Sequence, residues 1–189
     1  MRHRIFIAIN LPENIKKKLE DFQSKWPELP VRWTKPENLH ITLVFLGYLT
    51  DEELLEVCKI TKEVASRNQS FFIELKKIYY GPPKKPPRMI WVEGEKSLEL
   101  GKLQKDLENS FLTSPIKGIK EPEIRPYTLH ITLGRIRQWE FRRLEPEERP
   151  EIDEEISLSF KVNSIEVMES QLKRGGTGYA ALESFSLKS

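Results

Sequence analysis

At 189 residues the chain is long enough for one generous domain or two small lobes sharing a core, and too short for a large multidomain enzyme. Its 31 Lys and Arg against 29 Asp and Glu leave a net charge of +2, which excludes binding to nucleic acid through bulk basic charge, so such a partner must be engaged locally. With 38% hydrophobic and 32% charged residues the composition excludes a largely disordered chain. No apolar run approaches the roughly 20 residues of a membrane span, and the N-terminus lacks the long apolar stretch of a secretion signal, so a cytoplasmic protein without membrane partners is expected.

Residues 4–10 read as a first strand, because Ile5, Phe6, Ile7, Ala8 and Ile9 form a short β-prone run that ends at Asn10-Leu11-Pro12. A helix follows, with Ile15, Leu19 and Phe22 at helical spacing beside Lys16-Lys17-Lys18, which reads as an exposed face. Residues 39–46 form a second strand, and Thr50 with Glu53 makes a capping-box signal for a helix carrying Leu54, Val57, Thr61 and Val64. On this helix lies Cys58, the single cysteine, which has no partner for an internal disulfide and reads as a small hydrophobe. Strands are predicted over 71–80 and 89–93, joined by the stiff loop Gly81-Pro82-Pro83-Lys84-Lys85-Pro86-Pro87-Arg88. A helix with Leu100, Leu103, Leu107 and Phe111, a loop over 115–126 and a strand over 128–136 repeat the earlier helix-then-strand order. The acidic, proline-interrupted stretch 145–155 reads as a surface loop, and strands over 156–168 and 179–187 close the chain. About seven strands and three main helices imply an α+β fold.

Two stretches are identical over five residues, Leu39-His40-Ile41-Thr42-Leu43 and Leu129-His130-Ile131-Thr132-Leu133, and they use two of only three histidines. Chance produces such a match with a probability on the order of one per cent. A separation near half the chain length points to two related lobes rather than to a solenoid. Side chains alternate along a strand, so Leu39, Ile41, Leu43 and Phe45 are expected on one face, and His40 and Thr42 on the other, about 6.5 to 7 Å apart. The second copy sets His130 and Thr132 against Leu129, Ile131 and Leu133 in the same way. Two imidazoles facing one cleft suit acid-base cleavage of a phosphodiester: one takes a proton from the nucleophile, the other protonates the leaving oxygen. The threonine hydroxyls would donate hydrogen bonds to the non-bridging oxygens. No metal or cofactor is required. Each histidine taken singly also fits a structural role, and a two-histidine zinc site would lack a third ligand of evident spacing.

On these motifs the chain resembles the 2H phosphoesterase superfamily, named for two His-x-Thr motifs, and within it the RNA 2′,3′-cyclic phosphodiesterases once called 2′-5′ RNA ligases. The resemblance extends to the opening Ile5-Phe6-Ile7-Ala8-Ile9-Asn10-Leu11-Pro12, to the stretch from Trp33 through Asn38 to Phe45-Leu46-Gly47, to Arg125-Pro126-Tyr127-Thr128, and to Glu169-Ser170 with Gly178-Tyr179. It implies one bilobal unit over residues 1–189, with an antiparallel sheet flanked by helices in each lobe and an active-site groove between them. It also implies metal-independent hydrolysis of an RNA 2′,3′-cyclic phosphate to a 2′-phosphate, with reversible 2′-5′ ligation. His40 would be the acid and His130 the base, with Thr42, Thr132 and Arg135 binding phosphate. Alternation turns Arg135 away from His130, unless Gly134 marks a bulge that re-aims it. The aromatic that stacks on the terminal base in many bacterial relatives falls on Ile7; Phe6 is read as core, and Tyr127 and Trp33 become the candidate substrate-binding residues. Lys84, Lys85, Arg88, Lys173 and Arg174 are candidates for a basic rim, and His3 reads as incidental. The expected partners are RNA 3′ ends or small cyclic nucleotides, with no obligate protein partner and a monomeric chain. The rival readings are a cyclic phosphodiesterase for a small nucleotide or 2′-5′ oligonucleotide, and a non-catalytic nucleotide- or RNA-binding module.

Overall fold

The computed structural model describes residues 2–84, 86–117, 119, 127–174 and 176–189, and within them nine strands and four α-helices. The chain runs β1 (His3–Asn10), α1 (Glu13–Gln23), β2 (Val31–Trp33), β3 (His40–Leu49), α2 (Asp51–Arg67), β4 (Phe71–Gly81) and β5 (Met89–Gly94). It continues through α3 (Leu98–Leu112), β6 (His130–Ile136), α4 (Gln138–Arg143), β7 (Asp153–Val162), β8 (Ser164–Lys173) and β9 (Gly176–Ser186). All strand pairs are antiparallel, in a four-stranded sheet ordered β3-β1-β8-β9 and a five-stranded sheet ordered β2-β6-β5-β4-β7. The architecture is α+β. In each sheet the strand that carries the pentapeptide lies beside the strand that precedes it across a helix, β1 then α1 for β3 and β5 then α3 for β6.

The predicted apolar stripes are the buried ones. Ile15 and Leu19 of α1, Val57, Thr61 and Val64 of α2, and Leu100, Leu103, Leu107 and Phe111 of α3 join Ile7, Ile41, Ile131 and Leu133 in burial. These apolar side chains belong to a core that spans both sheets. The capping box at α2 forms: Thr50 Oγ1 accepts from Glu53 N–H at 3.2 Å and the Glu53 carboxylate accepts from Thr50 N–H at 2.8 Å. Half-buried Cys58 packs against the core from α2. Lys16 departs from the expected exposed face: its stem is buried and its ammonium meets Glu13 Oε1 at 3.0 Å, the usual way a long cationic side chain covers apolar surface.

Other boundaries shift for tertiary reasons. The apolar run at 156–168 is two strands broken at Asn163, with β7 paired to β4 in one sheet and β8 to β1 in the other. The chain changes sheets there, and alternation on either side conceals the break. Asp153 to Glu155 belong to β7, an edge strand where acidic residues meet solvent and Lys77 Nζ lies 2.6 Å from Asp153 Oδ1. The short β2 and α4 leave no periodicity to read. Most of the loop expected over 115–126 falls outside the described residues.

Candidate active site

Two β-bulges decide which side chains reach the groove. In β3, Ala8 pairs with Thr42 and Ile7 with Val44, so Leu43 is the inserted residue. In β6, Trp91 pairs with Thr132 and Ile90 with Gly134, so Leu133 is the inserted residue. The same fifth residue of each pentapeptide is thus bulged, and alternation resumes one step out of phase beyond it. Residues directly opposite across a ladder share a face. Phe45, opposite Phe6, therefore returns to the His40 face, and Arg135, opposite Met89, to the face of Trp91, Thr132 and His130. Strict alternation put Phe45 with Ile41 in the core; instead it is exposed, with its ring 5.8 Å from Phe6. Phe6 is buried but on the groove face, in a small cluster with Ala8, Met168 and Tyr179 apart from the main core. Ile7 is the residue that faces the core.

On the four-stranded side, His40 Nδ1 donates to the Asn38 carbonyl at 2.7 Å, and Nε2 lies 3.0 Å from Thr42 Oγ1. Residues Pro36–Asn38 form a 3₁₀ turn that brings this carbonyl under the ring. The Asn38 side chain accepts from Tyr179 N–H at 3.0 Å, which ties β9 to the same turn. Phe6 and Tyr179 flank the imidazole at centroid distances of 5.1 and 4.8 Å. Burial lowers the His40 pKa from its ordinary 6.5, the Asn38 carbonyl opposes the shift, and charge on His130 lowers it further. The two imidazoles are therefore close enough to sense one another.

On the five-stranded side, His130 Nδ1 donates to the Thr128 carbonyl at 3.1 Å, again the carbonyl two residues upstream. Each ring thus has its Nδ1 proton fixed by backbone, which makes Nε2 the nitrogen available for proton transfer. Trp91 stacks on His130 at 4.1 Å and 23°, and its buried indole N–H has no hydrogen-bond partner among the described residues. Burial lowers the His130 pKa against the opposing Thr128 carbonyl. Trp91 was missed by sequence reading; its signal was an aromatic alternating with buried Ile90 and Val92, hence facing away from the core.

Tyr127, just ahead of β6, ties the two motif segments together, its hydroxyl donating to the Thr42 carbonyl of β3 at 2.8 Å, while Thr34 N–H donates to the Leu133 carbonyl at 2.8 Å and extends the β2–β6 pairing. Tyr127 thus braces β3, with its ring against the core. Trp33 stacks on Trp26 at 6.4 Å and lines a cleft with Arg135 and Tyr179. Arg135 touches Met89 Sδ at 3.8 Å and is exposed. Lys84 and Arg88 are exposed in the β4–β5 loop, and Arg174 lines the cleft with Trp33. Lys85, Arg125, Pro126, Gly175 and the side chain of Lys173 lie outside the described residues. His3 is away from the groove, its Nδ1 2.6 Å from Glu169 Oε1 and its Nε2 2.7 Å from Asp51 Oδ1. Among the described residues no group of three or more His, Cys, Asp or Glu is arranged to hold a metal ion, and no helix is long and apolar enough to cross a membrane.

The sequence matches the family model for LigT-like phosphoesterases over residues 9–91 and 94–179. A Methanocaldococcus jannaschii protein named RNA 2′,3′-cyclic phosphodiesterase is 31% identical over 134 residues, 71% of this chain and 72% of that protein. A Thermus thermophilus protein of the same name is 30% identical over 195 residues, 98% of this chain and 90% of that protein. Among solved structures, one from Thermus thermophilus superposes with a TM-score of 0.80 at 28% identity, covering 98% of both chains. Escherichia coli LigT shares the fold, with a TM-score of 0.79 at 24% identity over 100% of both chains.

Proposed function

The chain belongs to the LigT-like phosphoesterase family, the 2H phosphoesterases, and from that premise we propose that it hydrolyses RNA terminal 2′,3′-cyclic phosphates to 2′-phosphates with His130 as base and His40 as acid. His130 Nε2 removes a proton from water as its oxygen bonds to phosphorus. The bond from phosphorus to the 3′-oxygen breaks, and that oxygen takes the proton of His40 Nε2, leaving a 3′-hydroxyl and a 2′-phosphate. Exchange with solvent then restores both rings. With an RNA 5′-hydroxyl in place of water the same pair forms a 2′-5′ bond. The backbone carbonyls on both Nδ1 atoms favour the imidazolium that each ring becomes in turn, and the indole under His130 favours a cation there as well. Thr42, Thr132 and Arg135 meet the non-bridging oxygens, where negative charge grows. Thr42 now sits against His40 Nε2 and turns to the phosphate when it arrives. Phe45, exposed beside Phe6, offers its ring to the terminal base.

The observation that carries this reading is the duplicated constellation: each imidazole is anchored at Nδ1 to the carbonyl two residues upstream, and each stands beside its threonine on a groove face. The named relatives supply the cyclic phosphate. The test is product analysis from an oligoribonucleotide ending in a 2′,3′-cyclic phosphate. A 2′-phosphate is expected, with turnover unaffected by EDTA and reduced roughly 10²- to 10⁴-fold in His40→Ala and in His130→Ala. A 3′-phosphate product, turnover abolished by the chelator and restored by zinc, or full activity in either variant would overturn it.

A further inference from the structure

The two pentapeptides match residue for residue, but their aromatic surroundings do not. His40 meets its ring neighbours at steep angles, Phe6 at 5.1 Å and 42° and Tyr179 at 4.8 Å and 76°. His130 lies instead on the face of one indole, that of Trp91, at 4.1 Å and 23°. The five-stranded sheet is shaped to hold that indole. Trp91 stands opposite Tyr79 on β4 and Thr132 on β6, so Gly81 and His130 are its diagonal neighbours on either side. A Cβ at Gly81 would collide with Cδ2, Cγ and Cε3 of Trp91, so glycine leaves the slot that the ring fills. Filling space does not account for the residue type. The buried indole N–H is without a hydrogen-bond partner among the described residues, a cost that phenylalanine or leucine would avoid.

What the indole adds is an electron-rich face, which attracts a cation more strongly than a neutral ring, and most strongly where water is excluded. Neutral His130 gains little from it. The imidazolium that forms as the ring takes a proton from water gains fully, so the contact strengthens on the way to the transition state. It also complements the hydrogen bond from Nδ1 to the Thr128 carbonyl at 3.1 Å: the carbonyl sets the rotation of the ring within its plane, and the indole sets the plane itself. Resting on the reaction proposed above, we infer that Trp91, seated on Gly81, is a positioning residue for His130, fixing the plane of its ring and stabilising the positive charge it acquires as the base. His40 has no such platform, so β5 makes unequal two motifs that are alike in sequence.

The experiment follows His130 by NMR, its resonance identified by its loss in His130→Ala, and measures kcat and KM on a 2′,3′-cyclic phosphate across pH, in wild type, Trp91→Leu, Trp91→Phe and Gly81→Ala. Leucine keeps the imidazole desolvated but removes the π face. The His130 titration should therefore move down by roughly 0.5 to 1 in pH, the acid limb of kcat/KM should move with it, and kcat should fall about 10-fold with KM within about twofold. Phenylalanine, with its weaker face, should lie between. Gly81→Ala should lower kcat where Trp91 is present and have no further effect in Trp91→Leu. A role in packing alone gives the opposite sign, because loosening admits water to a buried ring and returns its pKa toward 6.5. Among the described residues the charged and titratable groups around the ring are the same in every variant: Glu93 opposite it, Lys77 and Tyr79 beyond on β4, Arg135 along β6, and His40 from the other sheet. A titration that rises or stays in place in Trp91→Leu, or an unchanged kcat there, overturns the inference while the proposed reaction stands. A wild type that hydrolyses no 2′,3′-cyclic phosphate overturns the reaction and the inference that rests on it.

Discussion

Burial separates the three histidines from one another. His40 and His130 are desolvated and titrate below the ordinary 6.5, whereas His3, held by the carboxylates of Glu169 and Asp51, titrates above it. Histidine resonances followed by NMR across pH 4 to 9 should therefore give two low titrations and one high, and the two low ones should disappear singly in the alanine variants; a groove histidine titrating above 6.5 would contradict the geometry. The signs carry over to activity. The base must be neutral, so kcat/KM rises as pH climbs through its lowered pKa; the acid must be protonated, so kcat/KM falls beyond its own. Both limits lie below 6.5 in the free protein, which places the maximum of kcat/KM on the acid side of that value, with the kcat profile moved upward by the bound phosphate anion. For His3 the linkage runs the other way. A raised pKa contributes stability that is complete below 6.5 and lost as pH rises through the folded value. The depressed Asp51 and Glu169 lose theirs as pH falls, so the cluster supports the fold best between those limits.

At the scale of elements, the register of the motif strands matters more than their composition. Without the bulges at Leu43 and Leu133, Phe45 and Arg135 would point into the core; with them, each lobe presents a third residue to the groove, aromatic in one and cationic in the other. The sequence shows Gly134 but not which residue beside it is inserted. The close packing around Gly134 explains the glycine: a Cβ would collide with the Val31 side chain and come within 2.9 Å of Trp33. Gly134→Ala should push β2 off β6, costing about 1–3 kcal/mol in urea unfolding. An alanine variant of unchanged midpoint would show that β2 is not pinned there. Phe6 illustrates the converse lesson. Its high burial is compatible with either face of β1, and only pairing with Phe45 and contact with His40 assign it to the groove.

Over the whole molecule, the two lobes are not two halves of the chain. β2 leaves the four-stranded side to edge the five-stranded sheet, and β8 and β9 return from the five-stranded side to complete the other. One core runs through both, and buried Gln23 at the end of α1 donates to the carbonyls of Thr34 at 2.8 Å and Leu133 at 3.2 Å, bolting α1 to the second motif strand. Gln23→Leu should leave buried acceptors short of donors and cost about 1–3 kcal/mol. Unfolding should remain one transition, with tryptophan fluorescence and far-UV circular dichroism coinciding; separated transitions would show lobes that fold independently. By itself the sequence determined the α+β class, the apolar stripes of the helices, the capping box and the two His-x-Thr pairs, because each is written in local periodicity or in a repeat. The tertiary structure alone decided the bulged register, the place of Trp91 under His130, the sheet change at Asn163 and the pairing of Arg32 with Arg135. Those depend on which strand lies beside which, and pairing between residues distant in the chain leaves no trace in the spacing of neighbours.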